Sequence, residues 1–263
     1  MFLSIVTITK NDIVGLKDTF KSIDCQSVKD YEWIVIDASS NNTSEIYFKN
    51  ILNSKKFISK YVHEQDQGIY YGMNKGLGLA NSDYIIFMNS GDKFSNSNII
   101  KTLKERIYSS DADFIYGNSY ELDKIKQKKI KKSLPHQFIR YGMFTHHQSM
   151  IYKRSSIKLP YDVKYKYASD YVFTYRILNY SNTKSLYINI PISTYKLGGV
   201  SSKLYPKIIS LFEHLKFNYF ELNKSLTFVT FLFFSYISRD LFKKLSPSFV
   251  KILRKNLTNK YKN

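Results

Sequence analysis

A short apolar run that ends on an acidic turn constrains this chain most strongly. The stretch 84–88, YIIFM, is continuously hydrophobic, and the turn sequence Asn-Ser-Gly-Asp follows it and ends at Asp92. An uninterrupted run of this kind is typical of a strand covered on both faces, as in a sheet flanked by helices. Ligands bind beyond the carboxyl ends of strands in open α/β sheets, so Asp92 is predicted at the rim of a site. The alternative is a plain turn in which Asp92 caps the next helix.

The first hundred residues alternate between strand and helix patterns. Strands are predicted at 2–8, 33–36, 57–62 and 84–88, and helices after Asn11 or Asp12, after Thr43 and across 73–80. This alternation predicts an α/β fold with a largely parallel, doubly wound sheet. Beyond residue 113 the pattern changes, with predicted strands at 114–120, 149–152, 186–190 and 193–197 and a helix at 168–178. We therefore predict one domain over 1–202, divided into halves 1–112 and 113–202.

Lysine is abundant and unevenly distributed. The chain has 40 Lys and Arg against 21 Asp and Glu, a formal net charge of +19, which attracts polyanions of any class. The lysine-rich stretch 124–132 is predicted as a solvated sheet edge, where lysines discourage strand pairing, and an exposed hairpin is the alternative. Cys25 is the single cysteine, so an internal disulfide is excluded and a reducing compartment is favoured. With no secretory leader recognised before the first strand, the expected location is the cytoplasm.

The C-terminal part, 203–263, has a different character. Ten Lys and two Arg against three acidic residues give it a net charge of +9, and 226–237, LTFVTFLFFSYI, is almost uniformly apolar. This apolar stretch is shorter than the roughly 20 residues that span a bilayer. Apolar aromatic residues beside basic ones predict a helical extension that lies on an anionic membrane surface. The alternative is a helix packed against the preceding domain.

Several spaced motifs resemble those of family 2 glycosyltransferases. They are the strand 4–9, the loop at Asp37, the sequence DQGIY at 66–70 with MNKG at 73–76, NSGD at 89–92 and ASDY at 168–171. The resemblance covers about residues 1–200 and is strongest to bacterial members that build O-antigen, capsule or exopolysaccharide. It implies a GT-A fold, Rossmann-like with a mostly parallel sheet flanked by helices, a nucleotide-sugar donor and inversion at the anomeric carbon.

The resemblance also implies roles for individual residues on the donor side. Thr7 and Asp37 match positions that hold the nucleoside, where a carboxylate accepts the imide N–H of uracil. Asp66 matches a position that lines the same pocket. Asn74 and Lys75 lie where the chain approaches the diphosphate. Without the resemblance, these residues read as ordinary turn and surface positions.

Asp92 and Asp170 carry the chemistry that the resemblance implies. Asp92 matches the last acidic residue of an Asp-x-Asp motif and would bind Mn²⁺ or Mg²⁺, although Asn89 and Gly91 stand where other members often carry Asp. One carboxylate can suffice when donor phosphates supply further oxygen ligands. Asp170 matches the general base, with a helix N-cap as its competing role.

Two further positions are assigned to the acceptor and diphosphate side. His147, in the sequence HHQ at 146–148, is predicted near the acceptor, and a structural histidine is the alternative. Gly199, in GGVS at 198–201, matches a loop near the diphosphate in relatives, although glycine there also suits a simple turn.

The leading hypothesis is thus an inverting glycosyltransferase. It uses a nucleotide-sugar, expected to be a UDP-sugar, and a lipid-linked saccharide at the inner face of the bacterial cytoplasmic membrane. A basic nucleic-acid-binding protein is the alternative from another class, but no nucleic-acid motif is recognised and no such partner is expected. A catalytically inactive, membrane-associated homologue is the third possibility.

Overall fold

The computed structural model describes residues 1–52, 58–123, 127–180, 182–198 and 203–245. The strands are β1 Leu3–Thr9, β2 Tyr31–Asp37, β3 Ile58–His63, β4 Tyr84–Phe87, β5 Lys93–Phe94, β6 Phe114–Leu122, β7 Lys128–Lys131, β8 Met150–Lys153 and β9 Ser185–Lys196. The α-helices are α1 Ile13–Asp24, α2 Thr43–Leu52, α3 Ile69–Leu79, α4 Ile99–Tyr108, α5 Ser169–Leu178, α6 Leu204–Lys216 and α7 Leu226–Leu245.

One mixed sheet organises these elements. Its strand order is β3-β2-β1-β4-β8-β6-β9-β5, with β7 paired to β6. The strands β1 to β4 pair in parallel, whereas β8 is antiparallel to both β4 and β6. Buried side chains pack on both faces of this sheet, as the apolar strands predicted. The predicted α/β fold is therefore confirmed, and the carboxyl ends of β1, β2 and β4 meet at one edge.

Glycine allows α3 to lie close to the parallel strands. A Cβ added to Gly76 would lie 2.3 Å from the Cγ1 atom of Val6 on β1, so no larger residue fits without displacement. Gly72, one turn earlier, is buried near Ile8 and Asp66. This close approach places the start of α3 beside the carboxyl end of β1.

The second half of the sheet differs in detail from the prediction. The two strands expected at 186–190 and 193–197 form the single strand β9, because irregular pairing with β6 around Gly117 to Ser119 absorbs the interruption. Within the lysine-rich stretch, residues 124–126 lie outside the described residues, and β7 pairs antiparallel with β6, where Leu122 is the partner of Lys128. Lys128 and Lys129 are exposed, so β7 is a solvated edge.

The extension after residue 203 packs on the domain through one side. Pro206 and His214 of α6, Phe217 and Asn218 in the π-helical turn Phe217–Glu221, and Leu232 of α7 are buried. The ring of Phe217 contacts those of Tyr171 and Tyr175 on α5. Within the described part of the chain, no helix combines the length and apolar character needed to cross a membrane.

Candidate functional site

The carboxyl ends of β1 and β2 place Thr9 beside Asp37. These two residues are register partners, and the backbone N–H of Ala38 donates to the Thr9 carbonyl at 3.0 Å. Asp37 is fully buried; its Oδ1 accepts from the Ser39 N–H at 2.8 Å and its Oδ2 from the Tyr61 hydroxyl at 2.7 Å. A carboxylate has about four acceptor positions, so two bonds leave capacity for a further donor. The Thr9 hydroxyl is buried and makes no hydrogen bond within the described residues.

The side chain of Thr7 does not face this edge. Its hydroxyl donates to the Met88 carbonyl at 2.7 Å and accepts from the Trp33 indole N–H at 2.9 Å, and the residue is fully buried. The predicted contact of Thr7 with a nucleoside does not match this geometry, because the hydroxyl is already engaged in the core. Thr9, two residues later on the same strand face, is the threonine at the strand end.

Three side chains near the start of α3 have different surroundings. Asp66 accepts from the Gly68 N–H at 3.2 Å and lies 4.0 Å from the Lys10 ammonium, beside the end of β1. Lys75 pairs with Glu64 and is about one-third exposed. Asn74 both donates to and accepts from the backbone of Tyr161, each at 2.8 Å. Both polar atoms of Asn74 are thus engaged in a tether between α3 and the Tyr161 segment, which does not match the predicted approach to a diphosphate.

Asp92 is a buried carboxyl at the end of the β4 turn. It is 5% exposed, and its Oδ2 accepts from the Gln148 amide at 2.8 Å. Burial raises the pKa of Asp92 to about 7, against the opposing effects of the Gln148 and Asn89 hydrogen bonds. Asp92 is therefore poised between its protonated and ionised forms near neutral pH.

The surroundings of Asp92 suit an oxygen-ligating cation. The described residues contain no group of three or more His, Cys, Asp or Glu side chains that could hold a metal by themselves. However, the carboxamide oxygen of Asn89, three residues before Asp92 in the same turn, is buried without a hydrogen-bond partner among the described residues. The Asp92 carboxylate and the Asn89 amide are oxygen donors of the kind that Mg²⁺ or Mn²⁺ prefers, so both residues could hold such an ion when phosphate oxygens complete the coordination.

Asp170 lies in the first turn of α5. Its Oδ1 accepts from the Tyr70 hydroxyl at 3.2 Å and from the Tyr171 N–H at 2.8 Å. Burial raises the pKa of Asp170, whereas these two hydrogen bonds lower it. The N-cap position is Ala168, so Asp170 is not itself the N-cap. A partly desolvated carboxyl that remains accessible has the properties of a general base.

His147 is a core residue. It is 7% exposed, stacks on Phe87 with ring centroids 5.3 Å apart, and shares a 2.9 Å hydrogen bond with the Tyr161 hydroxyl. Burial lowers the pKa of His147 to about 4, which keeps the ring neutral at pH 7. These contacts match the structural alternative rather than the predicted acceptor contact. Gly199, the other residue assigned to this side, lies outside the described residues.

A chain of contacts connects Asp92 with Asp170. Gln148 bonds to Asp92, its neighbour His147 bonds to Tyr161, Tyr161 stacks on Tyr70 with centroids 5.6 Å apart, and Tyr70 bonds to Asp170. Sequence reasoning gave no role to Gln148, Tyr70 or Tyr161. The motifs DQGIY and HHQ contain the first two, but their partners are 56 and 100 residues away in sequence.

Comparison with solved structures identifies the fold. The complex of S. aureus TarS 1–349 with UDP superposes with a TM-score of 0.62 at 15% identity, covering 86% of this chain and 76% of that one. The mannosyltransferase PcManGT from Pyrobaculum calidifontis, in complex with GDP-Man and Mn²⁺, gives 0.64 at 10% identity, covering 85% and 64%. The match to the longer TarS chain spans 40% of that chain. The fold is thus GT-A.

Sequence comparison reaches the same class of protein. A PGL/p-HBAD biosynthesis glycosyltransferase of Mycobacterium bovis is 23% identical over 221 residues, which cover 78% of this chain and 80% of its own. An uncharacterized glycosyltransferase of Methanocaldococcus jannaschii is 26% identical over 186 residues, covering 67% and 64%. The family model for glycosyl transferase family 2 matches residues 4–205. The chain therefore belongs to glycosyl transferase family 2.

Proposed function

We propose that this glycosyltransferase moves a sugar from a UDP-sugar to a lipid-linked saccharide with inversion, using Asp170 as general base. The observation that carries the proposal is the contact chain from Asp92 through Tyr161 and Tyr70 to Asp170. It joins a carboxyl at the donor edge of the sheet to a second carboxyl from a distant part of the chain. A transferase needs such a pair, one group for the leaving diphosphate and one for the attacking hydroxyl.

The donor side is built from the ends of β1 and β2. Asp37 has acceptor capacity for the imide N–H of uracil, and the buried Thr9 hydroxyl offers a second polar contact. TarS, solved with UDP and with UDP-GlcNAc, supports a uridine donor, while PcManGT, solved with GDP-Man, makes a guanosine donor the main alternative. Asp66 lies at the same edge of the sheet, and in this proposal it lines the nucleotide pocket.

Nucleotide binding gives a direct test of the Asp37 role. An Asn side chain keeps the shape of Asp but replaces one of its two acceptor oxygens with an N–H₂ donor. Fewer acceptor positions are then left for the imide N–H of uracil, and the N–H₂ group can donate to cytosine N3. We expect Asp37→Asn to weaken UDP binding by about 10- to 100-fold and to narrow the preference for UDP over CDP. Calorimetric titration of both nucleotides, with GDP alongside, measures this preference.

Asp18→Asn is the matched control, because Asp18 is a half-exposed carboxylate of α1 whose partner is Lys93. Its affinities should equal those of the wild type. An unchanged UDP-to-CDP ratio in a folded Asp37→Asn variant would remove Asp37 from the nucleoside site. Tighter wild-type binding of GDP than of UDP would replace the uridine donor with a guanosine one.

Asp92 and Asn89 would hold the divalent cation, and such a cation neutralises charge on a diphosphate leaving group when it is bound. Mn²⁺ in the PcManGT complex is a precedent for this kind of ion. The residues of this chain supply the rest of the chemistry. Gln148 orients the Asp92 carboxylate, and because the pKa of Asp92 is raised to about 7, a cation bound there would displace a proton.

In the transfer step, the anomeric carbon gains one bond and loses another, and one proton moves to Asp170. The oxygen of the acceptor hydroxyl attacks the anomeric carbon, its proton passes to the Asp170 carboxylate, and the bond from the anomeric carbon to the diphosphate oxygen breaks. Attack opposite to the leaving group inverts the configuration. Tyr70, by donating to Oδ1 of Asp170, fixes the orientation of that carboxylate for proton transfer.

The lipid-linked acceptor and the anionic membrane surface are proposed from the extension. On α6 the large apolar side chains Tyr205, Ile208 and Phe212 are exposed, and on α7 Phe231, Phe234 and Ile237 are exposed. Their spacing places each set on one helix face, opposite the buried positions. Arg140 and Lys224 line a cavity of about 550 Å³ at the start of α7, where a lipid phosphate would be accommodated. In this proposal, the extension packs on the domain with one side and contacts the membrane with the other. The membrane surface is the cytoplasmic face of a bacterial membrane.

A pair of polar substitutions tests membrane contact. Phe231→Gln with Phe234→Gln removes two exposed rings that would insert between lipid headgroups, so we expect at least about tenfold weaker binding to anionic vesicles. Sedimentation with vesicles of phosphatidylglycerol and phosphatidylcholine measures the partition. The control pair Ile46→Gln and Tyr108→Gln changes side chains that are about equally exposed on α2 and α4. Equal loss in both pairs, or none in the first, would contradict the assigned face.

A further inference from the structure

The segment between Tyr161 and α5 is held from two directions. At its start, the backbone of Tyr161 bonds to Asn74 of α3. At its end, three consecutive N–H groups of Lys166, Tyr167 and Ala168 donate to the Glu213 carboxylate, at 2.7, 2.8 and 2.9 Å. Glu213 belongs to α6, in the extension. The residues that lead into α5 are therefore fixed by a side chain from outside the predicted catalytic region.

The N-terminus of α5 favours a negative charge nearby, and Glu213 supplies one just before the helix begins. The N-cap residue of α5 is Ala168, whose side chain cannot accept a hydrogen bond. The first N–H groups at a helix N-terminus require acceptors and favour negative charge. Asp170 satisfies the Tyr171 N–H, and Glu213 satisfies the three N–H groups before the helix begins. Hydrogen bonds from N–H groups to a carboxylate are among the stronger ones in proteins.

We propose that Glu213 is a positioning residue for Asp170, which it serves by clamping the backbone before α5 and by presenting a negative charge to that carboxyl. The inference rests on the proposed function, in which Asp170 is the base. Glu213 lies beyond residues 4–205, the part matched by the family model, so the family relationship does not supply it. The working catalytic unit accordingly extends at least through α6, rather than ending at residue 202.

The charged and titratable groups around Asp170 come from four places. Tyr70 on α3 donates a hydrogen bond to Asp170. Tyr152 on β8 and Tyr161 before α5 interact with the charge of Asp170. Burial has the largest effect in raising the pKa of Asp170, and Glu213 on α6 raises it further. Glu213 contributes the negative charge in this set. Removal of that charge makes Asp170 easier to ionise, so the base remains active to lower pH.

Two variants of Glu213 separate the effect of its charge from the effect of its side-chain length. Glu213→Gln keeps the length but removes the charge, and we expect the acid limb of the kcat/KM profile to move to lower pH. Glu213→Asp keeps the charge but shortens the side chain, and we expect about tenfold lower kcat with an unmoved acid limb. Glu105→Gln removes an exposed carboxylate of α4, away from this segment in sequence, and is the control with an unmoved limb.

Hydrogen exchange gives a readout that does not need activity. In the full-length Glu213→Gln protein, the amides of 166–168 should exchange about tenfold faster or more, while those of β1 and β4 are unchanged. An unmoved acid limb in Glu213→Gln, or unchanged exchange at 166–168, would overturn the proposal. If Asp170→Asn is as active as the wild type, the base assignment fails on its own, and the exchange result still decides whether Glu213 clamps the segment.

Discussion

The substitution Asp170→Asn should lower kcat by about 10² to 10⁴ while leaving the protein folded and able to bind nucleotide. Asparagine keeps the shape of the side chain, and its carboxamide oxygen can still accept from Tyr70 and from the Tyr171 N–H. It cannot take a proton from an acceptor hydroxyl at neutral pH. The loss should therefore appear in the rate of transfer and not in the affinity for UDP.

Tyr70→Phe is the companion variant for this prediction. It removes the hydroxyl that orients Asp170 but keeps the ring that stacks on Tyr161. We expect a loss of about 3- to 10-fold, because only one hydrogen bond to the base is removed. Transfer by Asp170→Asn within a few-fold of the wild type, with a normal melting temperature, would exclude Asp170 as the base.

The substitution Asp92→Asn should lower transfer by about 10² to 10³ and at the same time raise the stability of the protein above pH 7. The activity is lost because a neutral amide neither holds a cation strongly nor offsets charge on the diphosphate. The stability is gained because a carboxylate at this position is almost completely removed from water. Few substitutions are expected to move activity and stability so far in opposite directions.

The sign of the stability effect follows from the pKa of Asp92. This pKa rises from 3.8 to about 7 on folding, so between these pH values the folded protein keeps a proton that the unfolded chain has lost. The stabilising contribution of the protonated group is complete below about pH 4 and is lost as the pH rises through about 7. Asparagine has no such dependence, so the variant should match the wild type at pH 4 and exceed it by about 4 kcal/mol at pH 8.

Urea denaturation at pH 4 and at pH 8 measures this difference directly. Gln148→Met is the useful second variant, because it removes the hydrogen bond that lowers the pKa of Asp92 and should move the wild-type pH dependence upward. An Asp92→Asn protein that is no more stable than the wild type at pH 8 would mean that Asp92 is ionised at little cost in the folded state. Its proposed coupling of proton release to cation binding would then fail.

The fold was predictable because the hydrophobic periodicity of its strands and helices is clear in the sequence. The apolar run at 84–88, the helix pattern after Asp12 and the alternation over the first hundred residues correspond to β4, α1 and the parallel half of the sheet. The join within β9 was missed, since Pro191 and an irregular register with β6 interrupt the pattern inside one strand. Local patterns do not reveal pairing that compensates for an interruption.

The site was predictable only in part, for a related reason. Motifs indicate which residues are present, but burial decides which atoms are available. Thr7 and Asn74 stand in the expected motifs, yet their polar atoms are used by Met88, Trp33 and Tyr161. Glu213 has no motif signal, and its role depends on contacts about 45 residues back in the chain. The roles of Asp37, Asp66, Asp92 and Asp170 stay predictions.

The anomeric configuration of the transferred sugar tests the central claim most directly. A panel of UDP- and GDP-sugars is screened for nucleotide release with a lipid-linked acceptor and Mn²⁺ or Mg²⁺, and the product of the active donor is examined by NMR spectroscopy. Direct displacement with Asp170 as base requires the configuration opposite to that of the donor, formed by the wild type and not by Asp170→Asn. A product that retains the donor configuration would contradict the mechanism.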